Sequence, residues 1–412
     1  MSELLAMLRE QRQAWRRRVL AVTVPIWRGL PGPVQALLRW AAVRWRGVLA
    51  ALVIGFGILL PLFFSPTSKF MNTEILALAY VMFALGLNIV VGFAGLLDLG
   101  YLAFFALGAY STGWLGSTFF PKVSVHVLSY TPPGVPPPVG IHFNFLLILV
   151  CAALITAAAG AIIGLPTLRL RGDYIAIVTL AFGEIIRVFA LNGPEIKIAG
   201  MPLTGGELGV SGLDFPHLPG VGTFTQLQLR PWYYTIFVLL LITLFVNVRL
   251  RDSRLGRAWV ALREDEVAAV SMGIPLVRTK LLAYSVGAAF GGVAGAFLAS
   301  FTTLVDAGQF QFAFSIFVLS MVILGGLGSI WGVVLGALLV ANINYYLIPD
   351  VLNGLPGKLG LNFNLTDLQI SIFGFLLVLV MVLRPQGLIP ERRRRIELEA
   401  GIGETELEEP AT

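Results

Sequence analysis

Residues 249–280 read RLRDSRLGRAWVALREDEVAAVSMGIPLVRTK, a hydrophilic stretch wedged between two long apolar runs. In a chain this apolar, such an interruption has to lie in water. Its middle fits a short amphipathic helix: Leu255, Trp259, Leu262 and Ala269 fall on one face at helical spacing, and Arg257, Arg263, Glu264, Asp265 and Glu266 occupy the rest. Gly273 followed by Pro275 is a stop signal that frees the chain to turn back at Lys280 toward a bilayer. The expectation is a cytoplasmic helix on which another protein docks. A solvated loop with an incidental stripe is the competing reading of the spacing alone.

Composition fixes the class. Of 412 residues 57% are hydrophobic and 13% charged, about half the charged share of an ordinary soluble domain. The chain therefore reads as a polytopic membrane protein. A single cysteine, Cys151, argues against a disulfide framework or a cysteine metal cage. The three histidines, His126, His142 and His217, are scattered through loop-like sequence, so no metal or other cofactor is expected. The net charge of +6 comes mainly from arginines flanking apolar runs, which is a membrane orientation signal; nucleic acid would require a continuous basic surface. Residues 1–46 carry nine arginines but no short apolar core with a cleavage site, and read as a retained basic cytoplasmic segment. A permeation domain over 47–390 and a charged cytoplasmic tail over 391–412 complete the division. Arginines 392–395 of that tail would sit near lipid head groups.

Spans of roughly 20 apolar residues are expected at Val48–Phe64, Glu74–Val91, Leu99–Phe119, Phe143–Leu165, Tyr174–Leu191, Trp232–Val248, Leu281–Leu304, Phe312–Leu327, Trp331–Leu347 and Asp367–Leu383. This gives an all-α bundle of about ten helices with both termini cytoplasmic. With the N-terminus inside, the loop bearing Arg169 and Arg171, the 249–280 stretch and the tail with Arg384 all fall on one side. The loops opposite, 121–142 with TPPGVPPP, 192–231 and 349–366, are rich in Gly and Pro; the first reads as a stiff spacer or lid.

Two joins, GFAGLLDLG at 92–100 and GGLGSIWG at 325–332, hold no basic residue. Each is either a tight turn at the cytoplasmic face or a broken helix within the bundle, and the second form would put it beside a pathway. Glycines four apart, at Gly160 and Gly164, at Gly287, Gly291 and Gly295, and at Gly328, Gly332 and Gly336, would make flat stripes for close helix packing. Asp98, Glu184 and Arg187 are the ionisable residues expected at depth. Asp98 reads either as part of a gate or as a cap for the next helix, and Glu184 and Arg187, three apart, can pair. Asn88, Gly92, Gly95 and Tyr101 surround the same join and could line a weak, largely apolar passage. No nucleotide cradle GxxxxGK[ST] occurs; Gly357-Lys358 falls in an expected external loop.

Four blocks, LGLNIVVGFAGLLDLGYLAFFALGAY at Leu85–Tyr110, LPTLRLRGDYIAIVTLAFGEIIR at Leu165–Arg187, GRAWVALREDEVAAVSMGIPLVRTKLLAYSVGAAFGGVAGA at Gly256–Ala296 and LRPQGL at Leu383–Leu388, resemble the permease family of branched-chain amino-acid ABC importers. The second and fourth resemble its M-type subunit. The resemblance covers about Leu76–Leu388. It implies a heterodimer with an H-type permease, two cytoplasmic ATP-binding subunits and an external solute-binding protein. It also implies that Glu264, Asp265, Glu266 and Gly273 lie in the helix contacting an ATPase; Arg257 and Arg263 belong to the same charged docking segment and are expected to share in the coupling. Glu266, Val267, Ala268, Ala269 and Gly273 echo the family's Glu-Ala-Ala-x-x-x-Gly loop with one residue inserted. ATPase closure would then push this helix and tilt the adjoining spans. Urea or short amides are the alternative substrates within the family. An ion-coupled secondary transporter is the rival class, and it would need a charged relay of its own.

Overall fold

The computed structural model describes residues 54–130, 136–167, 174–198, 200–218, 222–225, 228–353, 369–383 and 387–389. The 1–46 and 391–412 segments, Arg169, Arg171, Arg384, Gly357-Lys358 and the TPPGV of TPPGVPPP (131–135) lie outside the described residues. The chain divides into two compact units, residues 1–63 and 64–412. The described part of the first is a short apolar helix, α1 (Ile54–Phe63).

In the second unit the helices are α2 (Lys69–Asn88), α3 (Leu102–Leu115), α4 (Phe145–Thr167), α5 (Tyr174–Asn192), α6 (Leu229–Asp252), α7 (Arg254–Glu264), α8 (Glu266–Ser271), α9 (Leu276–Thr302), α10 (Phe312–Gly325), α11 (Ile330–Asn342) and α12 (Gln369–Leu383). Wider π turns extend α2 through Ile89–Phe93 and α11 through Ile343–Leu352. Among the described residues six helices are long and apolar enough to cross a membrane: α2 and α11 with their extensions, α4, α5, α6 and α9. α1, α3 and α10 are shorter apolar helices.

Burial ranks these helices. Of the α2 span 89% is enclosed, against 22% of α5, so α2 runs through the middle and α5 presents most of its apolar surface outward. α9 packs on α2, α3 and α4, while α11 joins α2 to α10. Backbones meet closely along α9. A side chain at Gly295 would collide with the Phe105 carbonyl, and one at Gly108 with Gly292. Gly287 lies against Gly86, and Gly160 and Gly164 face Tyr284. Lipid supplies no hydrophobic drive for helix association, so close approach of this kind is what gives dispersion its purchase.

Several boundaries differ from the sequence expectation. The helix expected to run to Phe119 stops at Leu115, because Gly116 and Ser117 leave it to pair with His142 and Ile141. α9 begins at Leu276, five residues early, with Arg278 and Lys280 already helical. Gly328 is not on a helical stripe: it sits in the turn before α11 at φ +81°, leaving Gly332 and Gly336 on the helix.

The loops at the end of the bundle away from α7 carry short strands. Ser124–Val127 and Gly116–Ser117 flank Gly140–Phe143, and Val210–Ser211 pairs with Leu304–Val305. The three histidines, scattered in sequence, converge here around a cavity of about 320 Å³. His126 stacks on His142, whose Nδ1 lies 2.6 Å from Asp214 Oδ2, and His217 stacks on Tyr130. Among the described residues no group of three or more His, Cys, Asp or Glu is arranged to hold a metal ion.

Candidate functional site

The hydrophilic stretch folds into two helices, not one. Asp265 is extended (φ −150°, ψ 110°) and ends α7 while its Oδ1 accepts the Ala268 N–H at 2.9 Å, capping α8. Ser253 caps α7 in the same way. The hairpin is anchored by its apolar face: Trp259, Leu262 and Ala269 are buried, and Trp259 Nε1 donates to Thr279 O at 2.8 Å. Leu255, expected on that face, is 37% exposed. It stands in the first turn of α7, ahead of the surface that α9 covers. Gly273, at φ +85°, closes α8 with the paired bonds Ile274 N–H to Ala269 O and Gly273 N–H to Val270 O, a left-handed turn that glycine adopts without steric cost.

Several of the charges picked out in sequence are tied inward. Arg263 Nη1 donates to Gly92 O at 2.5 Å, and its aliphatic stem lies on Gly95, where φ is +70° and no side chain would fit. Lys280, buried in α9, is neutralised by Glu266 at 2.8 Å. Arg257 Nη1 donates to Asp252 O, and Glu264 ends α7. What faces outward on α8 is apolar: Val267 is 73% exposed and Met272 86%, with Val270 beside them. Three apolar residues among charges give no stripe of their own, so periodicity alone does not single them out.

The two joins meet. Asn88, wholly buried, accepts the Gly328 N–H on Oδ1 at 2.9 Å, and Gly92 leaves no room for a side chain between them. Leu388 and Ile389 N–H groups bond to Leu324 and Gly325 carbonyls, which sets these two residues against the second join. Asp98 is buried outside the helical spans; its Oδ1 accepts the Gly100 N–H at 2.9 Å, while Leu99 N–H donates to Thr179 Oγ1. Burial pushes the Asp98 carboxyl up to about 7, and the Gly100 and Thr179 hydrogen bonds pull against it. Tyr101 is buried, donating to Gly287 O at 2.6 Å and stacking on Phe83. Asn88, Gly92, Asp98 and Tyr101 are thus packed into a joint, with Gly95 at its surface under Arg263. Arg187 pairs with Glu184 at 3.2 Å on a half-exposed face of α5. Glu74, buried in α2 beside Asn342, is an ionisable group at depth that sequence placed only at a span's edge.

The described residues thus form a multi-pass apolar bundle with interrupted helices, and a polar hairpin is tied to it through Arg263, Trp259 and the Glu266–Lys280 pair. Residues 70–383 match the family described as branched-chain amino acid transport system / permease component, and the chain belongs to that family. It is 38% identical over 351 residues to the high-affinity branched-chain amino acid transport system permease protein LivM of Escherichia coli K12, covering 80% of this chain and 72% of that one. To the probable LivM of Methanocaldococcus jannaschii it is 27% identical over 335 residues, 76% of this chain and 91% of the relative. LivH of E. coli K12 is 29% identical over 167 residues, 40% and 48% of the two chains. No solved structure matches the chain. As a member of this family it is a multi-pass inner-membrane protein and a non-catalytic transport component.

Proposed function

We propose that this chain is the M-type half of an ATP-driven importer of branched-chain amino acids, paired with an H-type permease and powered by two cytoplasmic ATP-binding subunits. An external solute-binding protein delivers the substrate. The α7–α8 hairpin lies in the cytoplasm and the short-stranded loops lie outside, in a bundle of about ten spans. The observation that carries the reading is the Arg263–Gly92 bond. It links a solvent-facing hairpin to the broken end of the central helix α2, and through Asn88 to Gly328 in the second join. Movement of the hairpin therefore acts on both joins at once. We assign Val267, Val270 and Met272 as the docking surface for an ATPase, with the surrounding charges setting orientation.

Alanine replacement of Glu264, Asp265 and Glu266 together would remove the α8 cap and strip Lys280 of its partner, so it mixes folding with coupling. Two cleaner variants separate them. Val267→Asp with Met272→Asp leaves the anchoring face untouched and is expected to abolish ATPase co-purification. Arg263→Ala is expected to retain the ATPases while uncoupling hydrolysis from uptake. Both are read in proteoliposomes supplied with ATP and the binding protein. Uptake driven by a proton or sodium gradient without ATP would overturn the importer assignment.

A further inference from the structure

A second cavity, of about 350 Å³, opens at the end of the bundle opposite the hairpin, between α2, α3, α9, α10 and the π turn after α11. Five rings line it among aliphatic and small residues. Phe105 faces Phe310 and Phe314 at 6.3 and 5.7 Å, and Tyr80 faces Phe314 and Tyr345 at 5.4 and 5.5 Å. Its polar groups are few. Tyr80 and Tyr345 hydroxyls meet at 3.3 Å, and Asp306 and Gln309 lie at the rim. The rim is built on a fixed turn: α9 ends at Thr302, Thr303 is left-handed at φ +56°, Leu304–Val305 pairs with Val210–Ser211, and Asp306 Oδ1 caps the next turn through the Gly308 N–H at 2.8 Å. Tyr110 lies within electrostatic reach of Asp306, and its buried hydroxyl has no hydrogen-bond partner among the described residues.

A small cavity with aromatic rings, one carboxylate and a few hydroxyls in its lining selects a compact amphiphile carrying a positive charge. An ammonium is held by a carboxylate and by ring faces together, and an aliphatic side chain is buried against the remaining rings. We infer that this cavity is a holding site for the apolar α-amino acid during transport, with Asp306 receiving its α-ammonium and the ring box receiving its side chain. The inference rests on the importer reading above. It moves the first contact with substrate away from the 92–100 join. From the cavity a column of rings, Phe105 to Phe83 to Tyr101, each step 4.9 Å, leads to that join. The join then acts as the closed gate below the holding site.

The test is substrate protection of a cavity cysteine in the whole transporter complex, reconstituted in nanodiscs with its binding protein. Cys151→Ser removes this chain's one native thiol, and labelling is read on this chain alone after separation of the subunits. Ala109→Cys places a thiol in the cavity wall and Thr302→Cys one at its rim, the second serving if the first disturbs packing. A charged methanethiosulfonate reports access. Leucine and 3-methylbutylamine, which keeps the ammonium and side chain, are expected to slow labelling about tenfold at ten times their dissociation constants. 4-Methylpentanoate, which lacks the ammonium, is expected to leave the rate unchanged. Asp306→Asn should abolish protection without altering labelling of the empty site. Protection by 4-methylpentanoate equal to that by the amine, or protection surviving Asp306→Asn, would overturn the assignment. So would unprotected labelling in a preparation that performs ATP-driven leucine uptake, and there the importer reading would stand. Absence of ATP-driven leucine uptake would instead remove the importer reading and this inference with it.

Discussion

At the scale of single residues, the molecule's buried charges are held by particular partners. Lys280 is 6% exposed at its side chain and answered by Glu266 across the α8–α9 turn. Removing one member of such a pair leaves a charge without compensation, whereas removing both does not. Glu266→Ala is expected to destabilise the purified protein by about 1–2 kcal/mol, less than for a fully buried pair because Glu266 is partly exposed, and Lys280→Met with Glu266→Ala to recover most of it, as a thermal-unfolding double-mutant cycle would report. Asp98 behaves differently because burial raises its carboxyl to about 7 instead of pairing it. The native state therefore holds a proton more tightly than the unfolded chain between the ordinary carboxylate range and about pH 7. Its contribution is greatest below that window and is lost as pH rises through the folded value. Asp98→Asn should flatten the fall in stability between pH 5 and 7, measured by the same unfolding assay, and an unchanged slope would show that another group titrates there.

At the scale of elements, α9 and the α7–α8 hairpin carry the argument. Gly108 and Gly292 meet backbone to backbone, so Gly108→Val has nowhere to place its side chain without parting α3 from α9. It should lower the yield of monodisperse protein on size-exclusion chromatography, while Gly374→Val, where nothing stands within 4 Å, should not. The apolar runs made the six long spans legible in sequence, since a long uncharged stretch has few other fates. The wet hairpin was legible for the converse reason. Its inner wiring was not: Arg263 and Gly92 are 171 residues apart, and no local pattern distinguishes an arginine facing water from one reaching back to a carbonyl. The same holds for the ring-lined cavity, whose lining runs from Leu76 to Tyr345, and for the histidines, which the short strands bring together. Periodicity reports which face of an element is apolar, and it is silent on what covers that face.

At the scale of the whole molecule, both ends of the bundle are closed by hydrogen bonds. At the hairpin end Gly328 N–H on Asn88 joins the two interrupted helices, and Leu388 and Ile389 strap α10. At the opposite end Val210–Ser211 pairs with Leu304–Val305 above the ring-lined cavity, and Asp214 N–H bonds to Gly116 O. On the proposed importer reading, alternating access would open each closure in turn while the other holds. A covalent lock at either end should then stop transport without affecting assembly. Ser211 and Leu304 are directly opposed in an antiparallel pair, a geometry whose Cα separation suits a disulfide. In a Cys151→Ser background, Ser211→Cys with Leu304→Cys is expected to lose uptake on oxidation and regain it on reduction, with the ATPases still co-purifying in both states. Full uptake by the oxidised protein would mean that substrate passes without parting these strands, and the holding site would then have to be reached from another side of the bundle.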